Sequence, residues 1–274
     1  MHRDRNTVWR TILRPAKRGV SDALQRIAGL LPPRHWSRLE SFAARQQGKG
    51  SVVDRWDTEV SQCGSLLGRS PSVAVDVGAN RGLYSLELLK RFPRCQVHAF
   101  EPSPRNAAIL RAQSAANGQL VVHEIALSSM TGRTTLWADS PGSGLGSLVQ
   151  RRIEHFGLEM NYSEEIATVR FDEYAKAHGI EAVDWMKLDV EGHELAVLEG
   201  MGDGVASVGV IQFEFGGCNI DSRTFFQDFW YLFRHHGFRI FRLAPRGPME
   251  IEQYVEMHEC FRTTNFVAVG KSAR

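Results

Sequence analysis

Cysteine is scarce and scattered. Cys63, Cys95, Cys218 and Cys260 are the four in 274 residues, and no Cys-x-x-Cys pair occurs. That spacing argues against a zinc ribbon or a dithiol redox motif and predicts reduced thiols in a cytoplasmic protein. Long hydrophobic runs are missing too. No stretch of about 18 apolar residues exists, so no membrane span is expected. The basic N-terminus has no continuous apolar core of the secretory type, which argues against a signal peptide. Internal repeats and long low-complexity runs are absent. Nor does one sign of charge dominate: 33 Lys/Arg oppose 31 Asp/Glu, a net +2. The balance is uneven, however. Residues 1–45 hold ten Lys/Arg and three acids, an excess of seven positive charges, which leaves about −5 on the remainder. An acidic body is a poor match for wrapping nucleic acid, and no nucleic-acid partner is expected.

A dinucleotide fingerprint is also lacking, and what stands in its place organises the chain. Val73-Ala-Val-Asp-Val-Gly-Ala-Asn-Arg-Gly82 is a β-branched, apolar run followed by a glycine turn. Leu83-Tyr-Ser-Leu-Glu-Leu-Leu-Lys-Arg91 then has helical spacing of its apolar residues. Strand, turn and helix open a nucleotide-binding α/β unit. The turn reads Gly-x-x-x-Gly, not the Gly-x-Gly-x-x-Gly that seats a pyrophosphate on a helix N-terminus. Asp76 at the strand end would repel a pyrophosphate but attract an ammonium. S-adenosylmethionine (SAM) carries an ammonium and a sulfonium and no phosphate. A second strand, Gln96-Val-His-Ala-Phe-Glu101, ends in an acid suited to both ribose hydroxyls. Asp76 and Glu101 could instead satisfy turn amides and cap the following helix. The cofactor-side candidates are Asp76, Gly78, Asn80, Gly82 and Glu101. Glu124 and Ala126, in Val121-Val-His-Glu-Ile-Ala-Leu-Ser128, could read adenine; the alternative for Glu124 is plain strand-edge charge.

From residue 72 the chain alternates strand and helix. Strands are expected at 72–77, 96–101, 119–124, 183–189 and 207–214, and helices near 82–92, 103–117, 171–178, 191–201 and 222–236. Alternation of this kind implies a parallel sheet covered on both faces, with ligands beyond the C-terminal strand ends. Two further strands, 238–243 and 265–271, lack a strong crossover helix between them, so an antiparallel hairpin should close the sheet. Before all this, residues 7–31 read as two short amphipathic helices among arginines, stopped by Pro32-Pro33. They suit either a peripheral membrane or protein contact, or a helical cap with solvated arginines. Residues 46–51 read as a linker and 56–67 as a helix. The expected organisation is therefore a basic helical extension with linker at 1–70 and a catalytic domain at 71–274. Asp139-Ser-Pro-Gly-Ser-Gly-Leu-Gly-Ser147 is either a lid or a surface loop.

The densest chemistry lies in Asp184-Trp-Met-Lys-Leu-Asp-Val-Glu-Gly-His-Glu-Leu195. Asp189 at a strand end can hold the methionine ammonium or accept from a substrate hydroxyl. His193 is a candidate general base, its unperturbed pKa being about 6.5, or else a packing residue. Glu191 and Glu194 suit a helix N-terminus in any protein. Glu214, on the same strand face as Gln212, can join Asp189 on the substrate side. Two acids and a histidine could hold a divalent metal; no further ligand pattern accompanies them, and none is assigned.

These stretches together resemble FkbM-type SAM-dependent methyltransferases from about Val73 to Lys271. The resemblance rests on Asp76-Val-Gly-Ala-Asn80 with Gly82, Phe100-Glu-Pro-Ser103, Ala126-Leu-Ser128, Phe171-Asp-Glu173 and, most distinctive, Lys187-Leu-Asp-Val-Glu-Gly-His-Glu194. It implies a Rossmann-like fold and O-methylation of a hydroxyl on a sugar or natural-product-type small molecule, or on a glycan. A SAM-binding regulator or scaffold without turnover is the alternative. On the methyltransferase reading Asp189, His193 and Glu214 are the candidates for substrate and base, whereas a regulator would keep Asp76 and Glu101 but not need His193. Localisation is expected to be cytoplasmic, with membrane association as an option.

Overall fold

A computed structural model describes residues 32–50, 56–180 and 182–273. The chain divides into two compact units, 1–45 and 46–274. In the first, the described residues lie in α1 (Pro33–Gln46). Its Trp36, Leu39 and Phe42 are exposed on successive turns, on a helix that also carries Arg34, Arg38 and Arg45. The two helices expected within 7–31 lie outside the described residues.

The second unit begins earlier than the expected residue 71. It includes α2 (Trp56–Leu67), the helix expected to lead into the first core strand. Val60, Cys63 and Leu67, at helical spacing, are buried in one cluster with Ala74, Leu88 and Trp185. A helix that contributes three core side chains cannot be detached from the sheet it covers, so the boundary falls at 45/46.

The sheet has eight strands in the order β10-β9-β11-β8-β7-β1-β2-β3. β1 (Val73–Val77), β2 (Gln96–Phe100), β3 (Leu120–His123), β7 (Trp185–Leu188) and β8 (Val210–Phe215) are parallel. β9 (Arg239–Arg242) and β11 (Thr264–Val269) form the expected antiparallel pair, but β11 lies between β8 and β9 and is antiparallel to both. β10 (Met249–Ile251) extends β9 as an unexpected edge.

Strand alternation sorts the two faces. Val75, Val77, Met186, Leu188, Ile211 and Phe213 point to one side, where α5 (Glu194–Glu199) and α6 (Phe226–His235) cover them. Ala74, Val97, Trp185 and Val210 point to the other, under α2, α3 (Leu83–Arg91) and α4 (Pro104–Ala116). Asp76, Lys187 and Gln212 are register neighbours across β1, β7 and β8, each two residues beyond one of these apolar positions. Three polar side chains therefore stand together on the second face, near the C-terminal strand ends.

A second, three-stranded sheet went unread in the sequence. β4 (Ala126–Leu127), β5 (Gly132–Ala138) and β6 (Tyr162–Val169) pair in the order β4-β6-β5. The glycine-serine loop closes between β5 and β6, pinned by a reciprocal pair of backbone bonds between Trp137 and Ser147.

Candidate functional site

The turn after β1 can be built only with glycine at its first position. Gly78 has φ +78°, and a Cβ there would fall 2.0 Å from the Asp189 carbonyl oxygen. Backbone amides of Gly78 and Ala79 donate to Phe100 O at 2.9 and 3.1 Å, tying the turn to the end of β2. Asn80 follows in the left-handed region at φ +48°. Its amide donates to Glu101 Oε2 at 2.8 Å, while Ser103 N donates to Oε1 at 2.9 Å. Burial pushes the Glu101 carboxyl up to about 7 against the pull of these amides. The Asn80 side-chain oxygen is itself buried without a partner.

Two cavities meet at this turn. A narrow cleft of about 60 Å³ is lined by Phe100, Glu101, Ala126, Leu127 and His193. A larger cavity of about 880 Å³ is lined by Asp76, Tyr84, Lys187, Glu191 and Glu214. Gly78, Asn80, Gly144 and Asp189 line both. Gly144 belongs to the glycine-serine loop, so that loop crosses the junction of the two cavities. A Cβ on Gly144 would come to 3.0 Å from Asn80 Nδ2.

Beneath the larger cavity lies a buried polar network. Lys187 Nζ donates to Asp189 Oδ2 at 2.7 Å and sits 4.9 Å from the Tyr84 ring centre. Burial alone would lower the Lys187 pKa, but Asp189, Asp76 and Glu59 together raise it. Asp76 accepts from Ser85 Oγ at 2.6 Å; burial raises its pKa and Lys187 opposes the rise. Gln212 Nε2 donates to Glu59 Oε2 at 2.7 Å, and Tyr84 OH donates to Gln212 Oε1 at 2.6 Å. The loop after β7 supplies the remaining acids. Glu191, at φ +52°, pairs with Arg151 and is pushed up to about 7 by burial and by Asp189. Glu214 is raised well above the carboxylate range by burial and by the charges of Asp189 and Glu191.

Glu194 is fully buried and accepts the amides of Val190 and Gly192, so it staples this loop from within. His193 Nε2 lies 3.0 Å from Ser128 Oγ, and burial lowers its pKa. Among the described residues, no three His, Cys, Asp or Glu side chains group so as to hold a metal.

Residues 76–240 match the family described as the methyltransferase FkbM domain. The chain belongs to the FkbM methyltransferase family. Among curated relatives, 2-O-methyltransferase NoeI of Sinorhizobium fredii is 30% identical over 146 residues, covering 50% of this chain and 60% of that one. The 31-O-demethyl-FK506 methyltransferase FkbM of Streptomyces tacrolimicus is 34% identical over 161 residues, 49% of this chain and 61% of that one. This chain thus spans about 60% of the length of the curated relatives it matches. Among solved structures, an O-methyltransferase from Bacillus cereus in complex with SAH aligns over 89% of this chain and 96% of that one. Its TM-score is 0.43 at 12% identity, too distant to bear on function.

Within this FkbM-family site, the expected residues separate by cavity. Asp76 and Glu214 line the larger one, Glu101, Ala126 and His193 the narrow one, and Asp189, Gly78 and Asn80 both. His193, a candidate base or else a packing residue, lines the narrow cleft and lies against Ser128. Gly82 lines neither cavity. Its φ is +79° and a Cβ would meet Leu110 Cδ2 at 2.5 Å, so it serves the approach of α4. Glu124 stands apart from the other expected residues. It lines neither cavity, and its carboxylate pairs with Arg111 of α4 near the surface, the strand-edge charge that was the alternative. Glu59 and Arg151 were missed. Glu59 precedes Val60 and stands one helical turn from Cys63 on a helix with a buried face, a signal available in the sequence; nothing local marked Arg151.

Proposed function

We propose that this chain transfers a methyl group from SAM to a hydroxyl of a sugar or natural-product-type small molecule or glycan. The observation that carries the reading is that Asp189 lines both cavities, at the point where they join. A group transferred between a cofactor in one and an acceptor in the other passes that carboxylate. A regulator that only bound SAM would not need the second cavity.

The residues fit the cofactor. The buried, unpartnered oxygen of Asn80 calls for a donor such as an ammonium or a hydroxyl. Glu101, once ionised, offers acceptor capacity beyond its two amide bonds to a ribose diol. Phe100, Ala126 and Leu127 give the cleft apolar walls for a base. When bound, SAM supplies a methyl group on a sulfonium, an electrophile with an excellent leaving group.

What remains for the protein is alignment and disposal of a proton. Lys187 holds one oxygen of Asp189, fixing the carboxylate at the junction. The Asp189 carboxylate accepts the acceptor's hydroxyl hydrogen bond and then its proton. Glu214, pushed toward its protonated form, donates to a neighbouring oxygen of the acceptor. His193 and Ser128 shape the cofactor side. Incubation with methyl-labelled SAM and panels of glycosides and small-molecule alcohols tests the reading. Label in a hydroxyl product supports it; SAM retention without transfer to any hydroxyl returns the chain to the regulator class.

A further inference from the structure

The outer part of the 880 Å³ cavity is built differently from its inner end. Asp76 and Lys187 are buried at its base. Farther out the lining includes Phe156, 70% exposed, and Leu83, 50% exposed, with Trp56 and Phe261 partly covered. Phe225, also exposed, continues this surface, its ring 6.4 Å from that of Phe261. Arg81 and Arg262 share the lining, and their stems are themselves apolar.

The exposure of Phe156 does not come from a loose loop. The short turn that carries it, Glu154–Phe156, is anchored on both sides: Ile153 and Met160 are buried, and Gln150 Nε2 donates to Met160 O at 3.3 Å. The Arg151–Glu191 ion pair fastens the same segment to the site loop. A phenyl ring is thus held in water at the mouth of a cavity with a polar, charged base. Leu83 is set outward in a similar way, because Tyr84, Ser85, Leu88 and Leu89 take the buried positions of α3.

We infer that the acceptor is an amphiphile: a hydroxyl-bearing polar head seated among Asp189, Glu191 and Glu214, attached to an apolar body that leaves the cavity over Phe156 and Leu83. The inference rests on the methyltransferase reading, since it is the need of the hydroxyl to reach Asp189 that sends the rest of the molecule out through this mouth. Apolar surface held in water at a cavity mouth marks where a ligand covers it. Phe156 and Leu83 supply that covering contact, and the inner acids set which end of the acceptor goes in.

The test uses 1-O-alkyl glycosides and glycerol ethers bearing methyl, hexyl or decyl tails, kept below their micelle concentrations. Equilibrium binding to the full chain is measured with S-adenosylhomocysteine present, and methyl transfer with SAM. Within one head group, lengthening the tail from methyl to decyl should tighten binding by at least about tenfold, with a parallel gain in kcat/KM, because each methylene buried adds a favourable increment. Phe156→Ser should reduce the decyl-to-methyl ratio severalfold, and Phe156→Leu should restore most of it. Tail-dependent binding without transfer to any head group would keep an amphiphile at this mouth but sink the methyl-transfer reading, and with it the role of that amphiphile as acceptor. Transfer, or binding, that ignores tail length in every head group would overturn the inference, as would a tail effect unchanged by Phe156→Ser.

Discussion

Lys187 Nζ stands 2.7 Å from Asp189 Oδ2 and also lies over the Tyr84 ring, so a site carboxylate and the interior of the sheet share one ammonium. Asp76 and Glu59 lean on the same charge. Lys187→Met would leave these carboxylates uncompensated. Breaking a buried pair from one side costs about 3–5 kcal/mol, which corresponds to roughly 6–20 °C of melting temperature in a chain this long. The sign of the pH dependence follows. Without the ammonium, burial raises the folded-state carboxyls of Asp76 and Glu59 further above unfolded ones, so the variant is most stable in acid and loses stability as pH rises. Thermal melts at pH 5 and pH 8 should therefore show the larger deficit at pH 8. An equal deficit at both would mean that Lys187 does not hold these groups ionised.

Glu101 carries a second pH signature. Its carboxyl is pushed up to about 7, above its ordinary value of 4.5. The unliganded protein thus loses the associated stability as pH rises from about 4.5 to 7, because the folded state binds the proton more tightly than the unfolded chain does. Binding a ribose diol needs the ionised form. Affinity for SAM should then increase with pH by up to about tenfold per unit below 7 and level off above it. Glu101→Gln should weaken binding about tenfold or more and flatten this profile. Calorimetry between pH 5.5 and 8.5 checks both. A wild-type profile as flat as the variant's would remove Glu101 from the ribose position.

The base is decided by comparing two variants. General bases contribute about 10²–10⁴-fold, and Asp189 stands at the junction of the cavities whereas His193 faces the cleft. Asp189→Asn, which keeps shape and removes basicity, should lower kcat by that order. His193→Ala should chiefly raise the KM for SAM through the lost contact with Ser128. The opposite pattern, with His193→Ala slowing turnover a hundredfold at unchanged SAM affinity, would return the proton to the histidine.

Residues 1–45 are proposed to contact an anionic membrane surface. Their excess of positive charge and the exposed Trp36, Leu39 and Phe42 motivate the proposal. Removing them should abolish sedimentation with phosphatidylserine vesicles at low salt while SAM binding persists. Full-length protein that leaves such vesicles unbound would refute the membrane version. A fall in melting temperature on truncation would point to a helical cap instead.

Much of this molecule could be read from residue pattern because its core strands are apolar on both faces and its turn needs glycine. The runs that became β1, β2, β7 and β8 have that character, and Asp76, Glu101 and Asp189 mark their ends. The second sheet escaped because its strands are half wet. In β6, Tyr162-Ser-Glu-Glu-Ile-Ala-Thr-Val169, Ser163 and Glu165 face solvent, Glu164 turns to the narrow cleft and accepts from Ser103 Oγ at 3.0 Å, and the buried residues are confined to one end. Leu136 and Ala138 of β5 do alternate inward, a two-residue period that was there to find. The helix after β7 begins at Glu194, later than the 191 its acids suggested. Glu191 and Gly192 both have positive φ, a conformation that long-range packing imposes and composition does not announce. Which cavity each acid would face was illegible, since that depends on the crossing of the 139–147 loop over the turn.

The position of β11 between β8 and β9 has a consequence for how the protein is made. A ribosome delivers β8 and β9 before the strand that separates them, with 48 residues between Phe215 and Thr264. For on the order of several seconds at ordinary elongation rates, β8 has an open edge carrying Phe213 and Phe215, the kind of edge that recruits foreign strands. Asn265 arrives with β11 and completes the bonds to Glu59 and Gln212 under the larger cavity. The polar network under the larger cavity therefore waits for β11, and a slow or weakened β11 leaves the β8 edge open to aggregation for longer.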